Sequence, residues 1–155
     1  MFNRSWRMGT WALVIPVSFL VSARTAPDSA DEVKQVALGI NQAFVRNDVD
    51  AIEPHVAGDI TWFSHTATER LDGKQVFIDS LRKTVKTKQT FKWQERDLRV
   101  QVLGDAAIVS FFYDHSAEIG GRKTDRLSRA TYVFAKRGGQ WLLVHDHSSV
   151  PLQAN

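Results

Sequence analysis

Residues 138–149 read GGQWLLVHDHSS, and this stretch decides the fold prediction for the chain. Two glycines indicate a turn, residues 141–144 are all apolar, and polar residues follow at once. An apolar run between a turn and a polar segment is typical of a buried strand. Because side chains alternate between the faces of a strand, Asp146 is expected opposite a set of four residues: Trp141, Leu143, His145 and His147. We therefore expect a pocket where the two imidazoles emerge.

The composition favours one globular domain and argues against a nucleic-acid-binding protein. The chain has 155 residues, enough for one hydrophobic core, and a formal net charge of +3. Residues 1–23 contain two arginines and no acidic residue, which leaves 18 basic and 17 acidic residues in the rest of the chain. Because no polybasic run is left to follow a phosphate backbone, we expect no nucleic acid among the partners.

The N-terminal residues 1–23 have the pattern of a secretory signal peptide. Arg4 and Arg7 form a basic start, and residues 11–21 form an apolar segment. Val21-Ser22-Ala23 then offers small side chains at the −3 and −1 positions of a cleavage site. A stable membrane span needs roughly 20 apolar residues, so this segment is short for one, and an uncleaved anchor is the alternative. We expect a periplasmic or secreted protein with no stable membrane span after cleavage.

Hydrophobic periodicity predicts an α+β domain after a linker at residues 24–28. Ser29 and Glu32 have the spacing of a capping box at the start of an amphipathic helix, and a shorter helix is expected from Asp48. Asp72 suits the N-cap of a third helix. From residue 90 onward the apolar period changes to two, and glycine-containing turns separate four strands, which predicts an antiparallel meander. The chain has no cysteine, so it forms no disulfide.

The order of elements and the closing stretch resemble the SnoaL-like branch of the nuclear transport factor 2-like superfamily. The resemblance covers residues 29–151 and leaves 152–155 as a tail. It implies a cystatin-like α+β fold, in which a curved antiparallel sheet packs on three N-terminal helices and forms a cone with a pocket at its open end. The same fold carries isomerases, cyclases, dehydratases, hydrolases and assembly modules, so the resemblance alone does not select a function.

Within that superfamily, the sequence is most similar to the association (hub) domain of calcium/calmodulin-dependent protein kinase II and its bacterial stand-alone relatives. They share the pattern Gly-x-Trp-x-x-Val-His-x-His-x-Ser, which here runs from Gly139 to Ser149. The strand at 131–137 and the hairpin at 104–107 also fit. The kinase hub pocket uses arginines on its central strands, whereas the aligned positions here hold Tyr113 and Tyr132. The resemblance therefore does not imply an arginine clamp for a carboxylate at these positions.

Three interpretations of His145 and His147 follow from the sequence. A metal site would need a third ligand such as His65, His115 or a carboxylate; no spacing indicates one, and we expect no metal. Acid–base catalysis would need a carboxylate in the pocket, and the sequence offers only Glu53, Asp59 and Glu69, with a tyrosine as hydrogen-bond donor. In the third interpretation, which we favour, the histidines satisfy hydrogen bonds at the pocket rim or at a subunit contact.

The sequence therefore favours a ligand-binding or homo-oligomeric assembly module with no cofactor. The alternative is a cofactor-free isomerase, lyase or cyclase. The expected partners are a small apolar or weakly polar ligand and a second copy of the chain, in a homodimer formed through the sheet face that carries Leu142 and Val144. The candidate ligand-binding residues are His147, His145, Tyr132, Tyr113, Trp62, Trp93, His65 and Ser149.

Overall fold

The structure is a computed structural model that describes residues 28–65, 67–87, 90–119 and 121–151. The predicted signal peptide (1–23), the linker except for Asp28, and the tail (152–155) lie outside the described residues. Within the described ranges, no helix has the length and apolar character needed to cross a membrane.

Helix α1 spans Ser29–Val45 and packs its apolar face on the sheet. Its N-cap is Asp28, whose Oδ1 accepts a hydrogen bond from the Ala30 amide at 3.4 Å. The capping box predicted at Ser29 is therefore wrong by one residue, because the preceding aspartate takes the cap position. Glu32 instead accepts hydrogen bonds from Trp141 Nε1 at 3.2 Å and Lys136 Nζ at 3.4 Å. These contacts fasten the start of α1 to the sheet.

Two further helices complete the helical part. Helix α2 spans Val49–Ile52, with Asp48 as its N-cap, and continues into a 3-10 turn at Glu53–His55. Helix α3 spans Lys74–Thr87 and buries Phe77, Ile78 and Leu81. The predicted cap Asp72 does not cap α3, because it lies in a short strand and its carboxylate binds Arg70 at 2.6 Å.

The described strands form one six-stranded sheet in the order β2-β1-β6-β5-β4-β3. Strands β3 to β6 form the antiparallel meander that the sequence predicts, and the α+β fold class is confirmed. Strand β1 runs parallel to β6, so the sheet is mixed at this one pair. The strand bounds are β1 Val56–Phe63, β2 Leu71–Asp72, β3 Thr90–Leu103, β4 Ala106–Ile119, β5 Arg122–Arg137 and β6 Gln140–Ser149.

A β-bulge in β6 determines which residues face the helices. Leu143 pairs with Phe134, but the next pair along β5 joins Val133 to His145, so Val144 is an extra residue in β6. The bulge shifts the alternation by one position. Leu143 faces the core before it, and Asp146 lines the internal cavity after it. The predicted facing of His145, His147 and Asp146 is therefore wrong.

The core lies between the helices and the inner face of the sheet. Phe134, Ile52, Ile60 and Leu143 are almost fully buried there. Burying each such side chain contributes about 1.5–3 kcal/mol. The core does not fill the whole space between the helices and the sheet, and the remaining volume forms the cavity described next.

Candidate functional site

A cavity of about 310 Å³ lies between the helices and the inner face of the sheet. This volume is at the lower end of the range for small-molecule sites. Much of the wall is aromatic or aliphatic, with polar groups on the strands. The apolar wall consists of Ile40, Phe44, Ile52, Phe77, Leu81 and Leu143.

Asp146 is the most unusual group in the cavity wall. The residue keeps some solvent exposure as a whole, but its Oδ1 atom is buried and has no hydrogen-bond partner among the described residues. Burial raises the pKa of its carboxyl from 3.8 to about 8. At neutral pH the carboxyl is therefore mainly protonated. Its pKa is still close enough to neutral pH for the group to release its proton during a reaction.

The neighbours of Asp146 on both sides of β6 also line the cavity. Trp62 on β1 and Tyr132 on β5 are its register partners. The buried Nε1 of Trp62 has no hydrogen-bond partner in the described part of the chain. An N–H donor and a carboxyl oxygen that lack partners among the described residues thus belong to adjacent residues of one cavity wall, which is the arrangement expected of a site that binds a polar group.

A hydrogen-bonded chain fixes the hydroxyl of Tyr132. This hydroxyl donates to Oδ1 of Asn41 at 2.8 Å, and Asn41 Nδ2 donates to Oε1 of Glu95 at 2.9 Å. Asn41 is buried on α1. Burial raises the pKa of Tyr132 well above its ordinary value. The hydroxyl is therefore a committed donor to Asn41 and stays protonated.

Aromatic rings stack along the neighbouring strands. The Trp93 and Tyr113 ring centroids are 4.0 Å apart, and those of Tyr113 and His115 are 5.3 Å apart. Burial raises the pKa of the Tyr113 hydroxyl, and the nearby Ser148 hydroxyl opposes the rise. Tyr113 therefore remains a neutral hydrogen-bond donor on the cavity wall.

Histidines and an arginine form the solvent side of the cavity. The ring centroids of His65 and His115 are 5.8 Å apart, and Nδ1 of His65 lies 3.4 Å from the Ser148 hydroxyl. The pKa of both histidines is lowered, chiefly by burial and also by the positive charge of Arg126. Both are therefore mainly neutral at pH 7, and Arg126 carries the fixed positive charge of this cluster.

The structure brings together five of the eight candidate residues and separates three. Tyr132, Tyr113, Trp62, Trp93 and His65 line the cavity. His145, His147 and Ser149 do not, because the bulge at Val144 turns the two histidines to the outer face of the sheet. There Nδ1 of His145 lies 2.6 Å from the Thr61 hydroxyl, the rings of His147 and Phe63 are 5.8 Å apart, and Arg129 donates to Ser149 at 3.0 Å. A ligand-binding role for these eight residues stays a prediction.

The carboxyl group of the cavity is not one of those considered from the sequence. Glu53 and Asp59 bind Arg82 and Arg137 at 3.2 and 2.7 Å, and Glu69 is exposed. Strict alternation along β6 assigns Asp146 to the outer face, and so the sequence pattern does not predict it as a pocket acid. The available signal was its position two residues after the end of the apolar run at 141–144. Across the described ranges, no three histidine or carboxylate side chains are arranged to hold a metal ion.

Comparison with known proteins places this site in a family context. The family model for the SnoaL-like domain matches residues 33–153. A search of curated proteins gives no match. The resemblance inferred from the closing stretch of the sequence is confirmed.

Solved structures share the fold at low sequence identity. A nuclear transport factor 2-like protein of unknown function from Pseudomonas putida KT2440 is 23% identical with a TM-score of 0.73, covering 81% of this chain and 88% of that one. The association domain of C. elegans calcium/calmodulin-dependent protein kinase II is 21% identical with a TM-score of 0.65, covering 77% and 94%. A ketosteroid isomerase-like protein from Erwinia carotovora atroseptica SCRI1043 is 16% identical with a TM-score of 0.70, covering 81% and 98%. From the family match over most of its length, the chain belongs to the SnoaL-like domain family.

Proposed function

We propose that the cavity is the active site of a cofactor-free isomerase or lyase in which Asp146 transfers a proton. The observation that carries the proposal is that Asp146 lines the cavity and that its buried Oδ1 has no partner in the described residues. The unpaired atom costs about 1–3 kcal/mol in the free protein and would suit a binding pocket as well as an enzyme, but only proton transfer needs a carboxyl group whose pKa is near neutrality. For this reason we favour the enzyme over the binding module that the sequence favours.

The pKa of Asp146 suits both directions of proton transfer. A general acid or base works best when its pKa is near the working pH, and burial raises that of Asp146 to about 8. The protonated carboxyl donates to a carbonyl or a departing hydroxyl of the substrate. The ionised carboxylate removes a proton from the carbon next to a carbonyl.

Trp62 and Tyr113 are the proposed donors to a substrate oxygen that gains negative charge. The Trp62 Nε1 lacks a partner in the described chain, and Tyr113 remains protonated. Tyr132 is the weaker candidate, because its proton is committed to Asn41. Neutral donors held in a buried site stabilise such an oxygen more strongly than water does.

The experiment uses two substrate classes that give one product chromophore. A β,γ-unsaturated cyclic ketone is isomerised, and a β-hydroxy ketone is dehydrated, to a conjugated enone whose ultraviolet absorbance is followed. We expect the wild-type protein to convert at least one class, and Asp146→Asn to slow that conversion about 10²–10⁴-fold. The matched control is Asp59→Asn, which changes an exposed aspartate outside the cavity. Equal rates for wild type and Asp146→Asn, or no conversion of either class, would contradict the proposal.

The outer face of the sheet supports a second proposal, a homodimer. Phe63 and Phe112 lie on this face with 44% and 40% of their surface exposed, and Leu142 and Val144 are half-buried. Apolar side chains grouped on one sheet face favour association with a second copy. Light scattering at micromolar concentration is expected to give twice the monomer mass, and Phe112→Glu is expected to give the monomer mass. A wild-type monomer would contradict the dimer.

We also propose that residues 1–23 direct export and are removed. The support is their basic start, short apolar segment and small residues at the cleavage position. Intact-mass measurement of the protein from a periplasmic fraction tests this. The proposal requires a mass that lacks these residues, and a mass that retains them would contradict it.

A further inference from the structure

Polarity increases in the same direction along four neighbouring strands. In β4 the inward-facing order is Phe111, Tyr113, His115, and in β6 Leu143 is followed by Asp146 and Ser148. Strand β5 runs the opposite way and changes from Ala130 to Arg126. Strand β1 runs parallel to β6 and leads from Trp62 to His65. The polar ends of the four strands therefore meet at one edge of the sheet.

One arginine and two histidines are close neighbours at this edge. His115 and Arg126 are register partners on β4 and β5, and His65 lies across from His115 with ring centroids 5.8 Å apart. His65 and Arg126 are exposed, whereas Leu143 at the inner end of the cavity has no exposed surface. The cavity thus has an apolar interior and a mouth that carries positive charge.

Arg126 differs from the ion-paired arginines Arg96 and Arg137 in having no carboxylate partner among the described residues. Among the described residues no ion pair involves it, whereas Arg137 binds Asp59 at 2.7 Å. Asp114 acts on His115 of this cluster, but its carboxylate already binds Arg96 at 2.7 Å. Asp125 adjoins Arg126 in sequence and lines a surface groove with it, but no ion pair joins the two side chains in the described part of the chain. The guanidinium therefore keeps its donors for another anion.

We propose that Arg126, His65 and His115 form an anion-binding subsite, so that the ligand of this cavity is an apolar molecule with one anionic group. The apolar body would lie on Phe77 and Leu143, and the anionic group would lie at the mouth. Asp146 is mainly uncharged at neutral pH and does not repel such a ligand. This inference shares one premise with the proposed function, namely that the cavity binds a small organic molecule. It does not depend on proton transfer by Asp146.

Two dyes that differ by one anionic group test this subsite. N-phenyl-1-naphthylamine is neutral, and 1-anilinonaphthalene-8-sulfonate has the same two ring systems and a sulfonate. Both fluoresce when bound in an apolar site, so their dissociation constants are measured by titration. We expect the anionic dye to bind about tenfold tighter, because a hydrogen bond to a charged group contributes on this scale.

Arg126→Gln is the decisive variant, and Arg129→Gln is its matched control. Both arginines are exposed on β5, but Arg129 binds Ser149 and is absent from the cavity lining. The preference for the anionic dye should disappear in Arg126→Gln and persist in Arg129→Gln. Thermal unfolding of both variants checks that the fold is retained. His65→Ala is the second variant, to be used if Arg126→Gln does not fold. It should also reduce the preference for the anionic dye.

The outcomes separate this inference from the proposed function. If both dyes bind equally well to the wild type, or if Arg126→Gln keeps the preference, the anion subsite is wrong and the acid–base site is unaffected. If neither dye binds, the cavity is not a ligand site and both proposals are overturned. If the anionic preference depends on Arg126 and Asp146→Asn still converts the ketones at the wild-type rate, the subsite stands and the catalytic proposal is wrong.

Discussion

Trp62 and Asp146 are register partners in the parallel pair of strands β1 and β6, and each contributes a buried polar atom without a partner in the described residues. Both residues line the cavity. Each such atom costs about 1–3 kcal/mol in the unliganded protein. A ligand that supplies hydrogen bonds to both atoms removes this cost, so the same feature that weakens the free protein favours binding.

Asp146→Asn should stabilise the fold, and the gain should depend on pH. The folded protein holds this proton up to about pH 8, whereas an unfolded aspartate releases it near pH 4. Stability due to this group is therefore fully present below about pH 4 and falls, as pH rises to about 8, by at most about 1.4 kcal/mol per pH unit. Asparagine does not titrate, so the difference between variant and wild type should grow over this interval and then become constant. Urea unfolding across the interval measures it, and a pH-independent difference would show that the carboxyl is ionised in the fold.

Asn41→Ala should destabilise the protein through Tyr132. The variant leaves the buried Tyr132 hydroxyl without its acceptor, 2.8 Å away in the wild type, and this loss costs about 1–3 kcal/mol. A change of this size lowers the melting temperature by several degrees in a domain of this length. Tyr132→Phe provides the test of cause, because the two substitutions should be less than additive when combined. Strict additivity would mean that Asn41 acts through other contacts.

His115→Ala and His147→Ala form a matched pair that tests which face of the sheet binds ligand. His115 lines the cavity and stacks on Tyr113, whereas His147 is exposed on the outer face against Phe63. We expect His115→Ala to weaken binding of the anionic dye several-fold and His147→Ala to leave it unchanged. The stability of His147→Ala should stay within about 0.5 kcal/mol of wild type. If both variants weakened dye binding equally, His147 would face the cavity, as strict alternation along β6 predicts.

The sequence predicts the elements of this fold better than it predicts the site. Gly138 and Gly139 have φ angles of 59° and 81°, so the turn before β6 requires the residue type found there. The meander that follows from local apolar periodicity is confirmed. The parallel pairing of β1 with β6 joins distant segments, and no local pattern indicates it.

One residue, Val144, explains the main error in the prediction of the site from the sequence. Val144 is an ordinary strand residue, and nothing in its type signals that it is the extra residue of a bulge. That single insertion moves Asp146 into the cavity wall and takes His145 and His147 out of it. The aromatic candidates Trp62, Trp93, Tyr113 and Tyr132 lie on strands other than β6, and they line the cavity. Residues placed by regular alternation could be predicted, and those placed after the bulge could not.

The ionisation of Asp146 is the most direct test of the account. Protein labelled with ¹³C at the aspartate carboxyl carbons is titrated by NMR, and the Asp146 resonance is assigned by its absence from Asp146→Asn. We predict a midpoint at about pH 8 for this resonance. A midpoint near the ordinary aspartate value of about 4 would contradict the account, since Asp146 would then be an ionised carboxylate in contact with water.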